Sequence, residues 1–148
     1  MVDPDARGTR SPLRARPWVL ACYCAIILCG CGSRTPLYSV RGEVFFKGKP
    51  AGGALVVFHP VEDKDGKATR PRGTVEGDGS FTLSSHAKGD GAPAGEYIVT
   101  INWLDLDKRK EEEVPDKLKG HYTNRETSKL RVKVEAQANQ LARFDLKE

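Results

Sequence analysis

Residues 96–103 read EYIVTINW, with Tyr97, Val99, Ile101 and Trp103 on one side of an extended chain and Glu96, Thr100 and Asn102 on the other. Alternate side chains of a strand project to opposite faces, so this period of two predicts a half-buried β-strand. It is the strongest such pattern in the chain. Upstream, Val40, Gly42, Val44 and Phe46 alternate with Arg41, Glu43 and Lys47. Residues 54–59 (ALVVFH) form a second apolar run closed by Pro60, and residues 73–76 and 80–84 flank Gly77-Asp78-Gly79. Downstream, Leu130, Val132 and Val134 alternate with Arg131 and Lys133. Ala142, Phe144 and Leu146 then alternate with Arg143 and Asp145, the two runs being joined around residues 137–140. Short alternating runs separated by Gly, Pro and Asp, with almost no helical periodicity, predict an all-β sandwich.

The connections carry their own signals. Residues 48–53 (GKPAGG) join two consecutive runs closely enough to predict a hairpin, and Gly77-Asp78-Gly79 predicts another, because Asp and Gly accept positive φ at low cost. Phe81 and Leu83 then face the core. Phe45 lies on the polar side of its run, where either a neighbouring loop covers it or it belongs to a small contact surface. Residues 61–72 read as a surface turn. Asp63-Lys64-Asp65-Gly66 is reminiscent of a calcium loop, but placing Gly66 at the obligatory sixth position puts Val61 at the first ligand. Residues 105–113 (DLDKRKEEE) form a mixed-charge run, read as a solvated loop or a single helical turn in which Lys108 meets Glu111 or Glu112. Pro115 tolerates the first turn of a helix, so one helical turn is expected over residues 114–118.

The N-terminal region has a different character. A basic stretch ends at Arg16, and residues 18–28 (WVLACYCAIIL) are apolar without a charge. This succession has the n-region and h-region of an export signal. The run falls short of the ~20 residues a helix needs to cross the hydrocarbon core. It ends in Leu28-Cys29-Gly30-Cys31, which resembles the lipobox of bacterial lipoproteins, with Cys29 where Ala, Ser or Thr is commoner. Among Cys22, Cys24, Cys29 and Cys31, only Cys31 follows a small residue and a full apolar run. Cys31 is therefore the expected lipidation site, and an ordinary secretory signal is the alternative. The two or three acyl chains such a cysteine receives contribute ~0.8 kcal/mol per buried CH₂, enough for lasting attachment without a spanning helix.

The expected organisation is a lipoprotein signal peptide over residues 1–30, the lipidated Cys31 with a short tether over 31–37 (Gly, Ser and Pro-bearing), and the β-sandwich over 38–148. Removing 30 of the 148 residues leaves 118, room for one core. All four cysteines precede that core, so no disulfide framework can form within it. CxC pairs inside an apolar run also lack the spacer usual in zinc knuckles. Net charge is +4. Four arginines less two aspartates put +2 of it in the leader, and the rest of the chain has no basic stripe interleaved with aromatic residues, which argues against nucleic-acid binding.

From about residue 38 to 147 the chain resembles the carboxypeptidase-regulatory-like, transthyretin-like domains of bacterial envelope lipoproteins, especially those of planctomycete type. The pieces that carry the resemblance are Val40-Arg41-Gly42-Glu43-Val44, Gly48-Lys49-Pro50, Gly53-Ala54-Leu55-Val56-Val57-Phe58, Gly77-Asp78-Gly79-Ser80-Phe81 and Ala94-Gly95-Glu96-Tyr97-Ile98-Val99. The late pieces are Val114-Pro115-Asp116-Lys117, Tyr122, Thr127-Ser128-Lys129-Leu130, Val132-Lys133-Val134 and Asn139. The resemblance implies a seven-stranded sandwich, immunoglobulin-like or prealbumin-like, and no activity. Transthyretin-like folds include 5-hydroxyisourate hydrolases, but Phe144-Asp145-Leu146-Lys147-Glu148 stands where those enzymes have a Tyr-Arg-Gly-Ser-like tail.

No catalytic, cofactor-binding or metal-ligating residue is assigned. His59, His86 and His121 fall at a strand end and in two loops, without partners at ligand spacing. Ser84, Ser85 and His86 are adjacent, and neighbours on a strand point apart, so they read as turn residues. Trp103 and Tyr122 read as packing residues, with an aromatic platform for glycan or peptide as the other reading. The expectation is therefore a non-catalytic structural or interaction module, held to a membrane by its N-terminal lipid, with an envelope protein or a glycan as partner. The rivals are a carbohydrate- or peptide-binding module and an envelope hydrolase using one of the histidines. Gly32, in place of the Asp that signals inner-membrane retention in enteric bacteria, favours the outer membrane, with the inner membrane open.

Overall fold

The structure, a computed structural model, describes residues 35–63, 65–105 and 115–147. The signal segment, Cys31, most of the tether, most of the charged run 105–113 and Val114 lie outside the described residues.

Eleven strands follow one another: β1 (Leu37–Tyr38), β2 (Val40–Phe46), β3 (Lys49–Pro50), β4 (Leu55–Pro60), β5 (Arg72–Thr74), β6 (Ser80–Thr82), β7 (Ala92–Pro93), β8 (Gly95–Asn102), β9 (Arg131–Val134), β10 (Asn139–Gln140) and β11 (Phe144–Leu146). The seven of three or more residues correspond to the seven predicted runs, and β1, β3, β7 and β10 are two-residue additions that sequence periodicity is too short to reveal. One sheet is built on β2, which pairs with β6 and β3 antiparallel and with β10 and β11 parallel. The other has the order β5-β4-β8-β9. The longest ladder joins β4 to β8, from Leu55↔Asn102 to Pro60↔Tyr97. β1 and β7 form a separate antiparallel pair.

The sheets are sandwiched because each hides the alternate side chains that the sequence pattern marked. Val40 and Val44 of β2, Phe81 of β6 and Leu146 of β11 meet Val56 and Phe58 of β4, Tyr97, Val99 and Ile101 of β8, and Val134 of β9 in one buried cluster. At roughly 1.5–3 kcal/mol for each large apolar side chain removed from water, this core outweighs any single surface contact. The ring of Phe58 sits 5.6 Å from that of Tyr97, and Phe81 stacks on Phe144 at 6.2 Å.

The hairpin expected between residues 40–47 and 54–59 does not form, since β2 and β4 belong to different sheets. The tight hairpin is instead β2 to β3, with Phe46 opposite Lys49. Its two loop residues, Lys47 (φ 52°) and Gly48 (φ 75°), have the paired positive φ of a type I′ turn, whose twist suits antiparallel strands. The chain then crosses between sheets through Ala51 and Ala54, both fully buried. Small side chains allow that crossing at the core's end. The Gly77-Asp78-Gly79 hairpin does form, closed by Glu76 N–H to Ser80 C=O and by reciprocal bonds between Arg72 and Ser84. Its strands, however, pair outward, β5 with β4 and β6 with β2, so it makes the corner that joins the two sheets.

Two smaller expectations are also corrected. No helical turn follows Pro115. Residues 117–123 form successive turns closed by Lys119 N–H to Asp116 C=O, His121 N–H to Leu118 C=O and Thr123 N–H to Gly120 C=O. Lys119 (φ 53°) and Gly120 (φ 78°) are left-handed there, which stops a helix. Near the C-terminus Ala142 is exposed and Leu141 packs against the core, because β10 and β11 meet β2 as two short segments separated by residues 141–143.

Gly91 shows how tightly the β1–β7 end is fitted. Its φ is +89°, and a Cβ built there would lie 1.9 Å from the carbonyl oxygen of Tyr38. Gly91→Ala is expected to destabilise the protein by more than ~1 kcal/mol, since both the conformation and the approach exclude a methyl group. Gly77→Ala, where nothing lies within 4 Å, is expected to stay within ~0.5 kcal/mol. Urea midpoints of the two variants against the parent check this.

Candidate functional site

The three histidines stand on different parts of the fold. His59 lies near the end of β4, half-buried, with Nε2 2.8 Å from Thr100 Oγ1 on the neighbouring strand β8. Thr100 is buried although it points away from the main core. Burial first, and then the charges of Arg70 and Arg125, hold the imidazole pKa below its ordinary value. Arg125 donates to Pro60 C=O at 2.9 Å, and Arg70 lies 3.5 Å from the Asp63 carboxylate. A neutral imidazole bonded to a buried hydroxyl on the adjacent strand is arranged to hold β4 to β8. His86 and His121 are exposed, in the β6–β7 loop and in the turns after β8. Among the described residues, no three His, Cys, Asp or Glu side chains are grouped to hold a metal ion.

The serines beside His86 serve the loop that contains them. Ser85 Oγ donates to Gly91 C=O at 2.6 Å, and Ser84 Oγ accepts from Gly89 N–H at 2.9 Å. Asp90 gathers this loop. Its carboxylate accepts from the N–H groups of Ser85, His86 and Ala87 at 2.6, 2.9 and 2.7 Å. Those bonds, Ser85's first, hold its pKa below the usual carboxylate range. Asp63, in the segment reminiscent of a calcium loop, is likewise held low, mainly by the Ala68 N–H that it accepts at 3.1 Å.

The aromatic residues are engaged within the fold. Trp103 is half-buried, donates from Nε1 to Gly52 C=O at 2.9 Å and meets Phe46 edge-on at 6.2 Å. Lys117 Nζ stands 4.9 Å from its ring centroid. A tryptophan fastened on these sides offers a poor stacking platform. Tyr122 donates its hydroxyl to Lys147 C=O and accepts from Lys147 N–H, both at 3.0 Å. Phe45 is resolved in favour of cover: its ring lies over Gly79 of the Gly77-Asp78-Gly79 turn, with the Arg143 guanidinium 4.8 Å from its centroid.

Asp116 is the residue that sequence reading passed over. Its Oδ1 accepts from Trp103 N–H at 3.0 Å and Leu118 N–H at 3.1 Å, and its Oδ2 from Gly120 N–H at 2.8 Å. One carboxylate thus fastens the turns of residues 117–123 to the end of β8. Its position after Pro and before a Gly-containing turn was the available signal, since Asp side chains cap local backbone N–H groups. Open grooves lie beside these loops among the described residues. One, of about 620 Å³, lies along the β5–β6 corner beside Arg72, Glu76, Ser84 and Lys88. The other, of about 600 Å³, is bordered by His121, Tyr122, Thr127, Lys129, Leu130 and Lys147.

The electrostatics predict an acid-sensitive fold. A histidine whose folded pKa lies below its unfolded value of about 6.5 gives full stability above that pH, and the contribution is lost as the pH falls toward the folded value. The depressed Asp63, Asp78 and Asp90 contribute above about pH 4 and lose that contribution below it. Stability measured by urea unfolding is therefore expected to be level above pH 7 and to fall in two stages, with His59→Gln abolishing the first. Asp116→Ala is expected to cost ~1–3 kcal/mol through its three orphaned backbone donors, and hydrogen exchange should quicken more at Leu118 and Gly120, which then open locally, than in β4.

No family model matches the sequence, and no curated protein does. Among solved structures, the chain is similar to a DUF3823 family protein from Parabacteroides merdae, with a TM-score of 0.38, 15% identity, and cover of 77% of this chain and 46% of that one. It is also similar to a 9R-lipoxygenase from Cyanothece, with a TM-score of 0.37, 17% identity, and cover of 75% of this chain and 16% of that one. The chain spans less than half the length of either protein.

Proposed function

We propose that this protein is a lipid-anchored component of the cell envelope whose β-sandwich is a non-catalytic interaction module of the carboxypeptidase-regulatory-like, transthyretin-like kind. The observation that carries the reading is Leu28-Cys29-Gly30-Cys31, a small residue and then cysteine at the end of an apolar run that follows a basic stretch. A thioether-linked lipid on Cys31 would hold the domain at a membrane surface, the outer membrane by preference. The non-catalytic part of the reading is supported by how the polar side chains are used. His59, Ser84, Ser85 and Asp90 each make hydrogen bonds within the fold, and none forms a nucleophile–base pair with another.

Cells expressing the full chain and fed a labelled fatty acid should yield a labelled protein that sediments with membranes. Cys31→Ser should lose the label and move to the soluble fraction, whereas Cys29→Ser should keep it. An unlabelled parent, or a Cys31→Ser variant that remains on the membrane, would overturn the anchor.

A further inference from the structure

Lys129 and Leu130 immediately precede the edge strand β9, Lys147 immediately follows the edge strand β11, and the turns that Asp116 fastens to β8 bring His121 and Tyr122 to the same place. The reciprocal hydrogen bonds between Tyr122 and the Lys147 backbone tie the two sides together, so the groove is a fixed feature joining both sheets. Its border has a single sign of charge. Among the described residues no acidic side chain lines it, and neither Lys129 nor Lys147 forms an ion pair there. The half-buried Tyr122 and Leu130 give an apolar floor, with the Thr127 hydroxyl and the His121 imidazole as hydrogen-bonding groups along it. The groove of similar size at the β5–β6 corner differs in carrying Glu76 beside Arg72 and Lys88.

We propose that the groove beside β9 and β11 is a binding site for a carboxylated polysaccharide. Lysine ammonium groups act as point charges for carboxylates, hydroxyl and imidazole groups suit sugar hydroxyls, and an apolar floor suits the face of a sugar ring. The groove's openness suits a polymer passing along it better than a small molecule enclosed by it. The proposal deepens the reading of the sandwich as an interaction module and does not depend on Cys31, so fatty-acid labelling and ligand binding can fail independently.

The test is binding of polygalacturonate to the detergent-solubilised full chain by titration calorimetry, with dextran, galacturonate monomer, inorganic phosphate and polyglutamate in parallel. Polygalacturonate is expected to bind, more weakly as salt rises, and the Lys129→Ala/Lys147→Ala pair to weaken it at least about ten-fold, with Lys→Arg at both positions retaining most of it. Unchanged circular dichroism of the variants would confirm that they fold. Dextran binding as tightly, polyglutamate binding as tightly through the same lysines, binding of phosphate alone, a double-alanine variant that binds like the parent, or no binding at all would each overturn the proposal.

Discussion

The structure depends on β2 being hydrogen-bonded along both of its edges. One seven-residue strand receives β6 and β3 antiparallel on one side and β10 and β11 parallel on the other, so segments from the start, middle and end of the described chain converge on it. The convergence requires close packing over its inner face. A Cβ at Gly42 would lie 2.7 Å from the Phe81 ring, so that ring occupies the space a side chain would take. Phe81 in turn stacks on Phe144 of β11, which couples the middle hairpin to the C-terminal strand. A strand with a larger residue at position 42 would have to push its partner β6 away or expel the ring.

From this arrangement comes the division of labour between the sheets. The sheet of β4 and β8 has a long, regular ladder and its outer face carries the His59–Thr100 bond. The sheet of β2 is assembled around that strand from short pieces of two or three residues, and polar side chains brace the segments beside some of them. Asp90 gathers the loop that follows β6, and Asn139, at the start of β10, accepts from Glu135 N–H and donates to Glu135 and Gln137 C=O; Asp116 does the same for the turns beside β8 in the other sheet. Such side chains satisfy backbone groups that irregular segments would otherwise leave unpaired.

The same hydrogen bonds engage several of the polar side chains of the described residues. The Asp90 carboxylate, accepting three backbone N–H groups, is held in its charged form and has little capacity left as a general base. Ser85, which donates to Gly91 C=O, and Ser84, which accepts from Gly89 N–H, are likewise engaged within their own loop. Among the described residues, the groove beside β9 and β11 is bordered by lysines, while the groove at the β5–β6 corner mixes both signs of charge.

Reading along the chain sufficed for the seven longer strands and for most of the side chains they bury, Ala142 being the exception, because a period of two is a local property of an extended chain. Tyr97, Val99 and Ile101, or Phe81 and Leu83, could be assigned inward without knowing any partner. The apolar run of residues 18–28 and the four cysteines within and just beyond it are local patterns of the same kind. Tertiary structure alone decided which strands pair. Residues 40–47 and 54–59 read as hairpin neighbours, yet Lys47-Gly48 already closes a tighter turn onto β3, and Ala51 and Ala54 carry the chain into the other sheet. Only tertiary structure, too, joined Tyr122 to Lys147 and Asp116 to Trp103. Those bonds span 25 and 13 positions along the chain and leave no periodic trace in it, because their energy depends on where the two sheets come to rest.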